Sequence, residues 1–161
     1  MPENILYVAG ATGYIGCEIV KHALERGYTV HASMRPKSKN TLPQNDRLIL
    51  DILRSEGEKT IFNVPTGASV ISCISSRTGT AKDAYNIDYQ MNMSLLDCAR
   101  VSDAKIFLML SAICVQKPKL AFQHAKLKFE DALQTTGLNY SIVRPTAYFK
   151  SLTGQVKRVK Q

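Results

Sequence analysis

Gly10, Gly13 and Gly16 stand three residues apart in the string VAGATGYIG, directly after an apolar run and directly before a helical periodicity. In that setting each glycine has a separate task. Gly10 turns the chain tightly off a strand, Gly13 lets backbone approach a pyrophosphate, and Gly16 lets the helix pack closely. The chemistry on offer is phosphate binding, because the first N–H groups of a helix have no partner inside it. Turns and close packing use glycine too, so the triplet gains its meaning from the strand–turn–helix context.

A dinucleotide held at such a turn reaches the end of the second strand, about 20 residues on, where an NAD site usually carries an acid for the ribose 2′-hydroxyl. Here that strand ends at Met34-Arg35, and no Asp or Glu occurs from Arg26 through Asn45. Arg35, Lys37 and Lys39 stand there instead. NADPH is therefore the expected cofactor, with Arg35 meeting the 2′-phosphate; Lys37 and Lys39 also suit a solvated loop. Asp51 ends an apolar strand, Ser111 ends another and Pro145-Thr146 a third, so all three converge on the carboxyl edge where ligands bind in open parallel sheets. Ordinary turn chemistry is the alternative for Ser111 and Thr146.

The elements that must position these residues follow from apolar runs alternating with helical periods. Strands are expected at 5–9, 29–34, 47–52, 69–75, 105–111 and 139–144, and helices at 14–26, 82–101 and 120–136. A weaker helix is expected over 55–64, interrupted by Gly57. Gly27 ends the first helix as a left-handed cap. The result is an α/β fold, a Rossmann-type doubly wound parallel sheet of about six strands with helices on both faces. No repeat, linker or low-complexity tract divides the 161 residues, so one domain is expected over 1–161.

Composition agrees: 45% hydrophobic and 21% charged residues suit one globular domain, and exclude disorder and a disulfide scaffold. No apolar run approaches the roughly 20 residues of a membrane helix. Of the net charge of +8, three positive charges lie between Arg35 and Lys39 and four between Lys150 and Gln161. Both segments are nearly free of aromatic residues, which argues against nucleic-acid binding. Cys17, Cys73, Cys98 and Cys114 are far apart with no metal-ligand spacing, as expected of buried, reduced thiols in an intracellular protein. Only four residues precede the first strand, so the expectation is a cytoplasmic protein or an already processed organelle protein.

With these residues in place, the chain resembles a known family. GATGYIG, the D-Y-x-x-N at Asp88, Tyr89 and Asn92, and RPTAYF resemble the atypical short-chain dehydrogenases. More narrowly, SCISSRTG at 72–79, LSAICVQKPKLAFQHAKLKFEDAL at 110–133 and YSIVRPTAYFKSLTGQV at 140–156 are similar to the divinyl chlorophyllide 8-vinyl reductases. Region 36–68 is least similar. The resemblance implies NADPH-dependent reduction of the 8-vinyl group of a tetrapyrrole, divinyl chlorophyllide or protochlorophyllide, to ethyl in chlorophyll synthesis. It implies cofactor contacts at Gly10, Thr12, Gly13, Tyr14, Ile15, Gly16 and Arg35, and an adenine-side pair at Asp51 and Ile52.

Most short-chain dehydrogenases carry Tyr-x-x-x-Lys on a helix, one turn apart, so that the ammonium lies beside the phenol. The matching string here is FQHAK, Phe122 to Lys126: the lysine remains and the phenol is missing. Reduction of a conjugated C=C bond fits this departure. Lys126, with Ser111 the expected catalytic residue, would hold the cofactor ribose; the alternative is a solvated helix lysine. His124 is expected at the surface. The family also continues into a further strand and a region that covers the substrate, so this chain reads as the cofactor half, with a non-catalytic NADP-binding module as the competing reading.

Overall fold

The computed structural model describes residues 4–57, 59–146 and 148. Strand β1 (Ile5–Ala9) runs through the middle of the molecule, and its alternation sets the two layers. Leu6 and Val8 face one side, packing with Val20, Ala23 and Leu24 of α1 (Tyr14–Glu25) and with Val30 and Ala32 of β2 (Thr29–Met34). Tyr7 and Ala9 face the other, in a cluster that includes Val70, Leu95, Leu96, Phe107, Met109, Phe129 and Leu133. A strand's two-residue period places these side chains on opposite faces of one sheet.

Further strands are β3 (Leu48–Ile52), β4 (Arg54–Glu56), β5 (Lys59–Ile61), β6 (Ser69–Ser72), β7 (Ile106–Leu110) and β8 (Tyr140–Val143). Six of them form a parallel sheet in the order β3-β2-β1-β6-β7-β8. The order reverses between β1 and β6, the switch point of a doubly wound sheet, where a crevice opens beyond the strand ends. Gly27, with φ +84, ends α1 as the sequence predicts.

The second layer is one long helical run and one further helix. Thr80 caps α2 (Ala81–Ala84) by accepting the Asp83 N–H. The chain then passes through a π-helical stretch (Tyr85–Met91) into α3 (Asn92–Val101). The α4 helix (Ala121–Gln134) packs against the π-helical stretch, α3 and β8.

The helix expected over 55–64 is not formed. Instead β4 and β5 make an antiparallel hairpin, with Arg54 opposite Ile61 and Glu56 opposite Lys59. Gly57 has φ +60, a turn conformation rather than a helical one. Thr60 and Ile61 are branched at Cβ and favour extended backbone, and Phe62 and Val64 are buried, Phe62 edge-to-face on Tyr7. The cysteines differ from expectation as well: Cys17, Cys73 and Cys98 are half-buried and Cys114 is exposed. The basic tail 150–161 lies outside the described residues.

Candidate cofactor cleft

The glycine turn is built from backbone in close approach. Gly10 has φ +76, and a Cβ there would lie 2.8 Å from the Cys73 carbonyl oxygen at the end of β6. At Gly16 a Cβ would collide with the Gly10 carbonyl oxygen and lie 2.9 Å from the Ala11 Cα. The Gly13 N–H donates to the Gly10 carbonyl at 3.0 Å, and Gly13 is the N-cap of α1 with no side chain capping it. A backbone-lined helix start facing a cleft fits a phosphate group, since no side chain fills the space and the helix dipole favours negative charge.

From this turn a cleft of about 320 Å³ extends beneath the ends of β6, β7 and β8. Gly13, Tyr14, Ile15 and Gly16 form one wall; Ser111, Pro145 and Thr146 stand at the strand ends, and Phe122 and Lys126 reach in from α4. The structure thus gathers eight of the expected site residues into one lining. Tyr14 and Tyr148 meet edge-to-face across it, with ring centroids 6.4 Å apart. Gly10 and Thr12 lie in the turn behind it.

Arg35, Asp51 and Ile52 stand apart from this lining. Arg35 is exposed just past β2 and makes no ion pair among the described residues. Ile52 is exposed at the end of β3. Asp51 turns inward: its carboxylate accepts the Tyr7 hydroxyl and both the backbone and side-chain N–H groups of Asn63, and only 6% of the residue is exposed. Burial, then the bond to Asp51, pushes the Tyr7 hydroxyl far above its ordinary range.

Lys126 is no solvated helix lysine; it is 3% exposed. Its ammonium donates to the carbonyls of Ile74 and Leu110, each at 3.3 Å, and lies 3.2 Å from Asp88 Oδ1. The Ser111 hydroxyl is also engaged, donating to Glu130, which is fully buried and accepts a fork of bonds from Arg144. His124 is exposed, as expected. Cys73 is part of the cleft lining, and burial pushes its thiol up to about 12. At the rim, the Asp83 carboxylate accepts the N–H groups of Arg77 and Thr78 and the Thr78 hydroxyl, fixing the loop that carries Arg77. Those bonds hold Asp83 below the usual carboxylate range.

Sequence reasoning missed Asp88 and Glu130 as parts of the site. Lys126 and Glu130 are four apart on α4, which reads as an ordinary helical ion pair; the fold instead gives each a different partner. The D-Y-x-x-N string was the available sign for Asp88.

Fold and cleft together define a dinucleotide-binding protein of the doubly wound class. The chain belongs to the NAD(P)H-binding family, whose model matches residues 10–161. Over 99% of its length it is 46% identical to the divinyl chlorophyllide a 8-vinyl-reductase, chloroplastic, of Arabidopsis thaliana, and over 98% it is 46% identical to that of Cucumis sativus. It spans 43% and 42% of those two proteins, less than half of each. The crystal structure of a UDP-galactose 4-epimerase superposes with a TM-score of 0.77 at 16% identity, covering 96% of this chain and 62% of that one, a likeness of fold. Among the described residues no helix is long and apolar enough to cross a membrane, and no group of three or more His, Cys, Asp or Glu could hold a metal.

Proposed function

We propose that this chain is the NADPH-binding part of a reductase that converts the 8-vinyl group of divinyl chlorophyllide or protochlorophyllide to ethyl. The observation that carries the reading is the 46% identity to the two vinyl reductases over essentially the whole chain, cleft included. The geometry supports it. Phe122 lines the cleft one helical turn before Lys126, where carbonyl-reducing relatives carry a phenol. An alkene has no carbonyl oxygen to be protonated, so a phenol placed for that oxygen is not required; the proton goes to carbon instead.

A bound nicotinamide supplies the hydride. The chain's own residues do the holding: the glycine turn and the start of α1 take the pyrophosphate, and Arg35 takes the 2′-phosphate and so selects NADPH over NADH. Lys126 offers its ammonium to the ribose. Its two carbonyl contacts, at 3.3 Å, are longer than the 2.7–3.2 Å of good N–H···O bonds, so ribose hydroxyls can replace them. Ser111 lines the same wall, with its proton directed at Glu130. The hydride and a proton from solvent would add across the C=C bond, and a cleft of about 320 Å³, near the lower limit even for a small-molecule site, leaves no room for a tetrapyrrole beside the cofactor. The chloroplast stroma, or the cytoplasm of a bacterial phototroph, is the matching compartment.

A chimera joining this chain to the C-terminal half of the Arabidopsis relative tests the reading. Conversion of divinyl to monovinyl pigment, dependent on NADPH and lost in Lys126→Ala, is the expected result. A chimera that binds NADPH and leaves the pigment unchanged favours the competing reading, a non-catalytic NADP-binding module. Robust reduction by the Lys126→Ala chimera removes that lysine from the mechanism.

A further inference from the structure

We propose that Asp88, which does not itself line the cleft, is the positioning residue of its nicotinamide half. Asp88 belongs to the π-helical stretch and is fully buried. Its Oδ2 accepts the Ser76 N–H at 3.3 Å, and Ser76 lines the cleft. Its Oδ1 lies 3.2 Å from Lys126 Nζ and accepts no conventional hydrogen bond among the described residues, so Lys126 is its charge compensation. One carboxylate therefore fixes the loop after β6 and the α4 ammonium, two parts of the lining from separate elements.

The carboxylate is itself held in place. The Asn92 side-chain amide donates to the carbonyls of Asp88 and Ile87, at 3.0 and 3.3 Å, and its oxygen accepts the Ser72 hydroxyl from β6. The π-helical turn is thus pinned to the sheet on the cleft side. A buried ion pair is poor evidence for stability, because well-packed apolar residues serve as well or better. Its placement points to function: of the two partners Lys126 lines the cleft, so Asp88 fixes where that side chain sits.

Sheet order says which part of the cofactor is affected. Arg35 follows β2, on one side of the switch point, whereas Lys126 and Ser76 lie on the β6-to-β8 side. A dinucleotide straddling the switch point then places its 2′-phosphate end by Arg35 and its nicotinamide end over Lys126. The inference rests on the NADPH reading above. It adds that Asp88 governs binding of one half of the molecule only.

The test is calorimetric titration with NADPH and with 2′,5′-ADP, which lacks the nicotinamide half. It uses the unmodified chain, Asp88→Asn, and the charge-free double variant Asp88→Asn/Lys126→Met, each checked for folding by circular dichroism. In Asp88→Asn the NADPH affinity should fall about tenfold or more, the equivalent of one lost hydrogen bond to a charged group. Affinity for 2′,5′-ADP should stay within about twofold, as expected for a distant, independent site. Lys126→Met, titrated alongside, is the reference for the double variant: because Asp88 acts through Lys126, the double variant should bind NADPH within about twofold of Lys126→Met, and a further large loss overturns the proposal even if Asp88→Asn alone does not fold. Unchanged NADPH affinity in either folded variant overturns the proposal, as does an equal loss for both ligands, the mark of a purely structural role. An unmodified chain that binds neither ligand overturns the NADPH reading and this proposal with it, a result distinct from either of those.

Discussion

Replacing Arg144 by Met removes the cation from a carboxylate that has nowhere else to go. Glu130 is fully buried on α4; its partners are the Ser111 hydroxyl and the Arg144 guanidinium, whose Nε lies 3.2 Å from both carboxylate oxygens and whose Nη2 closes the fork. Removing one member of a buried pair costs about 3–5 kcal/mol. The Arg144 side chain is 32% exposed, so water screens part of the interaction and the expected cost is at the low end, about 3 kcal/mol. At roughly 2–4 °C per kcal/mol for a domain of this size, the melting temperature should fall by about 6–12 °C. Glu130→Gln leaves Arg144 free to turn into water and keeps an acceptor for Ser111, so it should cost less, about 1–2 kcal/mol. Thermal unfolding followed by circular dichroism measures both. If Arg144→Met costs no more than Glu130→Gln, the stranded-carboxylate argument is wrong.

Arg35→Ala should erase the preference for NADPH over NADH, a loss of about 1.5–3 kcal/mol by calorimetry; equal affinities in the unmodified chain would remove Arg35 from the 2′-phosphate. Gly13→Val should leave the fold intact and abolish dinucleotide binding, because the nearest atom to a Cβ there, the Gly10 oxygen, is 3.1 Å away and the branched side chain would occupy the phosphate's place. A folded Gly13→Val chain that binds NADPH normally would defeat the glycine-turn assignment. Stability should decline above pH 9: the Cys73 thiol is held protonated by burial, up to about 12, while the unfolded chain ionises it near 9.0, so protons leave the unfolded state first and favour it. Tyr7, raised for the same reason, adds to the decline above pH 10. In alkaline denaturant titrations Cys73→Ala should flatten the first part of this slope, and an unchanged slope would contradict the buried-thiol assignment.

The six strands and the main helices are legible in the sequence because each is declared by a local period: Leu6 and Val8 against Tyr7 and Ala9 in β1, for instance. The glycine turn is legible for the same reason, since all its parts lie within seven residues. Residues 55–64 mislead because apolar residues flank a glycine at a spacing either element allows; the branched Thr60 and Ile61, and the pull of Phe62 toward Tyr7, decide it. The site's charges are the least legible part. Asp88 with Lys126, and Glu130 with Arg144, are pairs between elements, and nothing within the α4 string says that Lys126 and Glu130 look away from each other. Asp51 shows the same limit: its place at a strand end is readable, but its inward turn depends on Tyr7, far off in the chain.

The π-helical stretch between Tyr85 and Met91 also sets the angular phase between two halves of one rod. An i→i+5 turn holds one residue more than an α-turn, and each residue of an α-helix advances about 100° around the axis. Leu95 and Leu96 key the far half into the core. The wider winding lets the near half aim Asp88 at Lys126 without disturbing that fit. Wound as an ordinary α-helix with the same number of residues, the stretch would swing the carboxylate by up to about 100° off its target with the leucines docked. The helix acts as a coupling with a fixed offset, and its length in residues, as much as their identity, aims the acid at the base.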